Sequence, residues 1–269
     1  VPRKAGPRLA AGRARALGLP TRGTTNPNRL RRMDNWIVAR LGPALRAAAD
    51  PLVIDLGYGA SAITAVELAE RLRRVRPDVR VLGLEIDPDR VAAAQPDADP
   101  PRLEFARGGF ELAGTRPALV RAANVLRQYD EPAALAAWDT LRAGLAPGGL
   151  VVEGTCDEIG RLGSWVLLDA AGPVSVTFAC RVDAIERPSD LAARLPKALI
   201  HHNVPGRRIN AFLRDFDAAW DAAAALSAFG PRQRFVAACA ALANDWPVTD
   251  RGRARFGELT VQWSALSSP

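Results

Sequence analysis

A doubly wound α/β fold on a mostly parallel sheet is the architecture this 269-residue sequence predicts, and two observations carry the expectation. From residue 52 to residue 155, short apolar runs alternate with segments whose apolar residues recur at helical spacing, the pattern of successive strand and helix units. The first of these runs, Leu52-Val-Ile-Asp55-Leu, ends in Gly57-Tyr-Gly59-Ala-Ser61, after which a helical pattern opens. Such a stretch reads as a buried strand, a tight turn whose glycines let a ligand approach the backbone, and a helix N-terminus with free N–H groups. That junction suits a nucleotide-like cofactor.

In chain order, Asn28 is placed to cap a helix running to about Ala49, in which Leu30, Met33, Trp36, Ile37 and Leu41 follow helical spacing. Asp50-Pro51 ends it before the first strand. Ser61 to Val75 is the next helix, stopped by Pro77. A strand at Val79–Leu84, a short helix from Pro88 to Ala94 and a third strand at Arg102–Ala106 follow.

The glycine turn leaves its ligand open. Gly57-x-Gly59-x-x-Ala62 also satisfies the looser dinucleotide fingerprint. Asp55 points elsewhere, because a carboxylate ~4 Å from a pyrophosphate is repelled by several kcal/mol at an effective dielectric of ~20. A ligand carrying an ammonium and a sulfonium would be attracted instead, and S-adenosyl-L-methionine is such a ligand. The stretch Asp55-Leu-Gly57-Tyr-Gly59-Ala-Ser61 resembles the first motif of class I S-adenosylmethionine-dependent methyltransferases, a Rossmann-like family. Three further segments resemble the family's later motifs in order: Val79 to Asp87, Leu119-Val-Arg-Ala-Ala-Asn124 and Leu145-Ala-Pro147-Gly-Gly-Leu. The resemblance covers roughly residues 28–182 and implies a fourth strand after Leu119, a fifth at Leu150–Thr155, and a seven-stranded sheet closed by an antiparallel hairpin.

Beyond the fifth strand, residues 157–170 read as a helix and Val174–Arg181 as a sixth strand. In residues 255–264, Leu259, Val261 and Trp263 alternate with Thr260, Gln262 and Ser264, as in a half-buried strand. The hairpin is therefore interrupted by a helical insert. Within it Phe212, Phe216 and Trp220 lie at i, i+4 spacing, an ordinary core stripe, and Pro231 starts a second helix to about Asp245. Four regions result: a basic arm at 1–27, an S-adenosylmethionine-binding core at 28–182, the insert at 183–254 as a candidate substrate lid, and the last strand with its tail at 255–269.

Charge is uneven. The net +7 is concentrated in residues 1–46, which hold eleven Lys/Arg and the single acid Asp34, while the remainder is mildly acidic. The arm is a candidate RNA contact, although a solvated leader accounts for the same charge run. No apolar stretch is long enough to span a membrane. Cys156, Cys180 and Cys239 are odd in number and widely spaced, offering neither a disulfide framework nor a metal site, so a reducing cytoplasm is expected.

The resemblance assigns roles to particular residues. Gly57 and Gly59 would let the backbone approach the cofactor beside Asp55 and Ser61. Glu85 would accept hydrogen bonds from both ribose hydroxyls, and Ile86 would lie against the adenine. The acid that the family often carries after its third strand is missing, because Gly108-Gly109-Phe110-Glu111 puts glycine at the aligned position. Phe110 is a candidate to stack on the adenine and Glu111 to replace the acid. Asn28, Arg29 and Arg32 are placed near the methionine end, where an arginine such as Arg29 could pair with the carboxylate. Asn124 faces the transfer site, and Arg127, Gln128 and Tyr129 follow it as candidate substrate contacts. Asn124, Tyr129 and His201 are the weak candidates for a catalytic group, and no metal ligands are indicated. The expected activity is methyl transfer to RNA or to a small molecule. A cofactor-binding protein without turnover, holding RNA or a protein partner through the arm, is the competing expectation.

Overall fold

The computed structural model describes residues 25–267. The arm at 1–27 lies almost wholly outside the described residues. Eight strands form one sheet: β1 (Leu52–Leu56), β2 (Arg80–Glu85), β3 (Leu103–Arg107), β4 (Leu119–Ala123), β5 (Leu150–Cys156), β6 (Leu162–Leu168), β7 (Pro173–Cys180) and β8 (Glu258–Gln262). Their spatial order is β3-β2-β1-β4-β5-β6-β7-β8. Pairing is parallel from β3 across to β5 and antiparallel from β5 to β8.

Helices cover both faces. On one, α1 (Arg31–Ala47) and α2 (Ile63–Arg73) bury Met33, Trp36, Ile37, Leu68 and Leu72 against Val53, Val81, Leu119 and Val152. The short α3 (Pro88–Ala94) is capped by Asp87, whose carboxylate accepts the Asp89 N–H at 2.9 Å. On the other face lie α4 (Glu131–Ala143), α5 (Lys197–Ile200), α6 (Arg208–Ala222) and α7 (Pro231–Leu242), with α8 (Ser264–Ser267) after the last strand. Their apolar sides meet Ile54, Val120, Val151, Val166 and Val176. Phe212 and Phe216 are fully buried, and Phe178 of β7 stacks on Phe212 with ring centroids 5.1 Å apart.

Two expectations change. The sheet has eight strands, not seven, because the stretch expected to be a helix at 157–170 forms β6. Its residues Leu-Gly-Ser-Trp-Val-Leu-Leu are buried on both sides of the sheet, so no alternation marks them as a strand. A short, continuous apolar run of this kind cannot be told from a buried helix by periodicity. The turn between β5 and β6 closes through Asp157, whose N–H reaches Leu162 O at 2.9 Å and whose carboxylate accepts the Arg161 N–H at 2.7 Å. No crossover helix therefore follows β5, and the sheet reverses direction there.

Candidate functional site

A cavity of about 660 Å³ opens at the carboxyl ends of β1, β2, β3 and β4. This is the switch point between β1 and β4, where strand order reverses and open α/β sheets bind their ligands. The glycine turn forms its floor. Gly57 has φ +69° and donates its N–H to Leu84 O at 2.7 Å, and a Cβ there would stand 2.7 Å from Val125 Cγ2. Gly59 has φ +86°, a conformation open to glycine at no steric cost.

Glu85, at the end of β2, is only 5% exposed. Its carboxylate accepts the Gly59 N–H at 3.1 Å and the Ile86 N–H at 2.9 Å, with the Arg90 guanidinium 3.6 Å away. A carboxylate has about four lone-pair sites, so acceptor capacity toward the cavity remains. Tyr58 packs beside it, and burial together with the Glu85 charge pushes the phenol's pKa up, which keeps it protonated.

Ile86, Phe110 and Tyr129 also line the cavity, and the Phe110 and Tyr129 rings lie 5.5 Å apart. Glu111 also lines it but is exposed, and its Oε1 accepts the Gly109 N–H at 2.7 Å. Thr25, Arg29 and Leu30 also line the cavity. The Thr25 hydroxyl donates to Tyr58 O at 3.3 Å, Asn26 Nδ2 to Glu158 O at 2.8 Å, and Arg29 Nε to Asp157 O at 2.9 Å. Two buried side-chain atoms of the lining residues, Thr64 Oγ1 and Gln128 Oε1, have no hydrogen-bond partner.

Several expected site residues are placed differently. Asp55 lines the cavity, but both of its oxygens are held by Arg121 of β4, at 2.9 and 2.6 Å. Arg121 is fully buried and also bonds Asp34 of α1, which is in turn held by Arg71 at 2.8 Å. Burial pulls the Arg121 pKa down, yet Asp34 and Asp55 outweigh it and the net shift is upward. Asp55 thus lines the cavity with its carboxylate already paired to Arg121, a cation it shares with Asp34. Ser61 is exposed and lies outside the lining. Its hydroxyl accepts the Ile63 N–H at 3.3 Å, so α2 begins two residues later than expected.

Asn124 lines the cavity in the left-handed region at φ +62°, but its side chain is turned to β5. His201 is exposed at the end of α5 and is not among the lining residues. It is His202 that has a partner, Glu131, at 2.7 Å. Arg32 donates to Phe256 O at 3.0 Å rather than entering the cavity. No residue of 183–254 is among the lining, because the apolar stripe of α6 faces β7.

Sequence reasoning missed Arg121. The available signal was an arginine inside an otherwise apolar strand, which requires a buried counter-charge.

No protein-family model matches the chain, and no curated protein sequence matches it. Among solved structures, it is similar to magnesium protoporphyrin IX methyltransferase (ChlM) from Synechocystis PCC 6803 with bound SAH, at 21% identity over 46% of this chain and 53% of that one, with a TM-score of 0.37. It is similar to the LepI complex with SAM at 18% identity over 43% and 30%, with a TM-score of 0.34. An O-methyltransferase family protein from Burkholderia thailandensis matches at 19% identity over 47% and 37%, with a TM-score of 0.33. The chain spans about half or less of the length of these solved structures.

Proposed function

We propose that this protein is an S-adenosyl-L-methionine-dependent methyltransferase. The observation that carries the reading is Glu85, a buried carboxylate fixed by two backbone N–H groups at the lip of a glycine-floored cavity, with acceptor sites left for a pair of ribose hydroxyls. The sheet supports one nucleoside rather than two. A dinucleotide domain is built from two parallel three-stranded halves, whereas here the sheet turns antiparallel directly after β5, so the second half lacks its third parallel strand.

The residues present fit the cofactor. Gly57 and Gly59 allow close backbone approach, Glu85 takes the ribose, and Ile86 and Phe110 offer apolar surface to the base. Arg29 brings a guanidinium toward the amino-acid end, and the orphaned Thr64 hydroxyl lies on the lining beside Asp55. When bound, the cofactor supplies a methyl group already activated on a sulfonium. The protein's part is alignment and exclusion of water. Thr25 and Arg29 of the lining are tied to Tyr58 and Asp157, and the Asp34–Arg121–Asp55 network fixes α1 and β1 relative to each other.

Calorimetry with S-adenosylmethionine and S-adenosylhomocysteine tests this. Micromolar binding of both is expected, and binding of neither at millimolar concentration would rule the reading out. The acceptor is then found by transfer of labelled methyl into fractionated RNA, protein and metabolite pools.

A further inference from the structure

Arg127 and Arg194 come together beside the cavity with no carboxylate to balance them. Arg127 lies in the short helical turn after β4, and Val125, Gln128 and Tyr129 of the same loop line the cavity. Its Nη1 donates to Thr155 Oγ1 at 3.2 Å and to Ala193 O at 2.7 Å, which carries the guanidinium across the end of β5 onto the segment Pro188–Arg194. Arg194, the next residue, is tied to β6 through its backbone oxygen, which accepts the Ser164 hydroxyl. Thr155 and Ser164 are register partners, so both arginines are anchored at one level of the sheet. That level is one strand over from Asn124, a lining residue whose N–H reaches Gly154 O at 2.7 Å.

The two charges are uncompensated. The Arg194 side chain makes no hydrogen bond or ion pair among the described residues, and its Nε is buried. Arg127 bonds through Nη1 alone, to two neutral oxygens. The acids nearest in sequence are engaged elsewhere. Asp130 accepts the Ala133 N–H at 2.8 Å, Glu131 is held by His202, and Asp190 accepts the N–H groups of Glu186 and Arg187. Burial and the Arg194 charge lower the Arg127 pKa, and no acid opposes them, yet an arginine so placed stays protonated. Arg121 shows the opposite arrangement, a buried arginine shared by two carboxylates. Two half-buried guanidinium groups repel each other, and an oxyanion between them would remove that repulsion and accept charge-assisted hydrogen bonds from both.

We infer that Arg127 and Arg194 bind a carboxylate or phosphate group carried by a small methyl acceptor, and so hold the acceptor beside the cavity at the ends of β4 and β5. The acceptor role rests on the methyltransferase reading, and the anion site does not.

Benzoate and phenyl phosphate, with benzyl alcohol as the neutral control, test the site by titration into isotope-labelled protein at constant ionic strength while the arginine Nε–H signals are followed. Saturable shifts at Arg127 and Arg194 are expected with an anion and none with the alcohol, and the tighter anion identifies the group as carboxylate or phosphate. Arg194→Met removes no side-chain hydrogen bond from the folded protein and should weaken that anion about tenfold. Arg232→Met removes an exposed charge on α7 and should leave it unchanged. Absence of saturation by either anion in the wild type overturns the inference without any variant, and so does equal weakening by Arg232→Met. For the acceptor, labelled methyl is expected in metabolites retained on anion exchange. At limiting pool concentration its transfer should be about tenfold slower in Arg194→Met, with affinity for S-adenosylhomocysteine unchanged. Label confined to RNA, to protein or to unretained metabolites overturns the assignment to the acceptor. Failure of the wild type to bind S-adenosylhomocysteine overturns the methyltransferase reading and the acceptor role together, whereas the anion titration stands or falls without the cofactor.

Discussion

The Asn124 side chain is clamped onto Cys156 at the end of the neighbouring strand. Its Oδ1 accepts the Cys156 N–H at 2.9 Å and its Nδ2 contacts Sγ at 3.4 Å, while the Asn124 backbone N–H reaches Gly154 O at 2.7 Å. Burial pushes the Cys156 thiol above its usual pKa, so the clamp is made by a neutral thiol. With both ends of its amide occupied, Asn124 positions the loop that carries Gln128 and Tyr129 and offers no group for proton transfer.

Asn124→Ala should destabilise the protein by about 2–3 kcal/mol, because it leaves a buried N–H unmet and places a Cβ residue without local hydrogen bonding in the left-handed region. Asn124→Gly loses the same bonds but keeps the backbone conformation, so about 1–2 kcal/mol is expected. Urea denaturation checks the order. Equal losses would mean that the φ of +62° carries no cost.

Arg121→Met should be more severe, at about 3–5 kcal/mol, because it leaves Asp34 and Asp55 buried without their shared cation. Burial already raises the Asp34 pKa against the pull of Arg121 and Arg71, and losing Arg121 raises it further. A carboxyl whose folded pKa is raised loses stability as pH climbs through that value. The deficit of Arg121→Met relative to wild type should therefore be smaller at acid than at neutral pH. Denaturant titrations at pH 4.5 and 7.5 read this directly, and a deficit independent of pH would contradict it.

The contrast between Glu85 and Arg121 explains what the sequence could disclose. Strand, glycine turn and terminal acid lie within one short stretch, and the acid of β2 follows one helix later, so local periodicity exposes them. Arg121 meets partners 87 and 66 residues away, and no local pattern encodes that meeting. For the same reason Asp55 could be read as a ligand group. Its counter-ion was visible only as an anomaly in β4. The β6 segment was illegible for a different reason, because a strand buried on both faces has no alternation to read. His201 carries suitable chemistry in the sequence, but no local pattern tells that the residue is exposed at the end of α5.

Glu85→Ala should weaken S-adenosylhomocysteine by about 1–3 kcal/mol through lost ribose hydrogen bonds. Because Glu85 also holds the Gly59 N–H, a misplaced turn could produce the same loss. Homologous 2′- and 3′-deoxy analogues separate the two. If Glu85 binds the hydroxyls, the variant and wild type should bind the deoxy compounds with a much smaller difference than they bind the parent. A difference as large for the deoxy compounds would assign the effect to the turn.

Glu153 makes wild-type stability depend on pH. It lies on β5 between Ala122 and Val166 in register, is 1% exposed, and has an Oε2 without a partner. Burial pushes its pKa up to about 8, and the Trp138 indole offsets only part of the rise. In the unfolded chain the group ionises near pH 4.3. Between these values the folded state holds the extra proton, so stability falls as pH rises from about 4.5 to 8. Glu153→Gln keeps the shape without the ionisation. It should lie close to wild type at pH 5 and be more stable by several kcal/mol at pH 8, on the order that a shift of this size implies. Thermal unfolding across that range tests it: a wild-type Tm that falls relative to the variant is expected, and parallel profiles would show that Glu153 is already ionised in the folded protein.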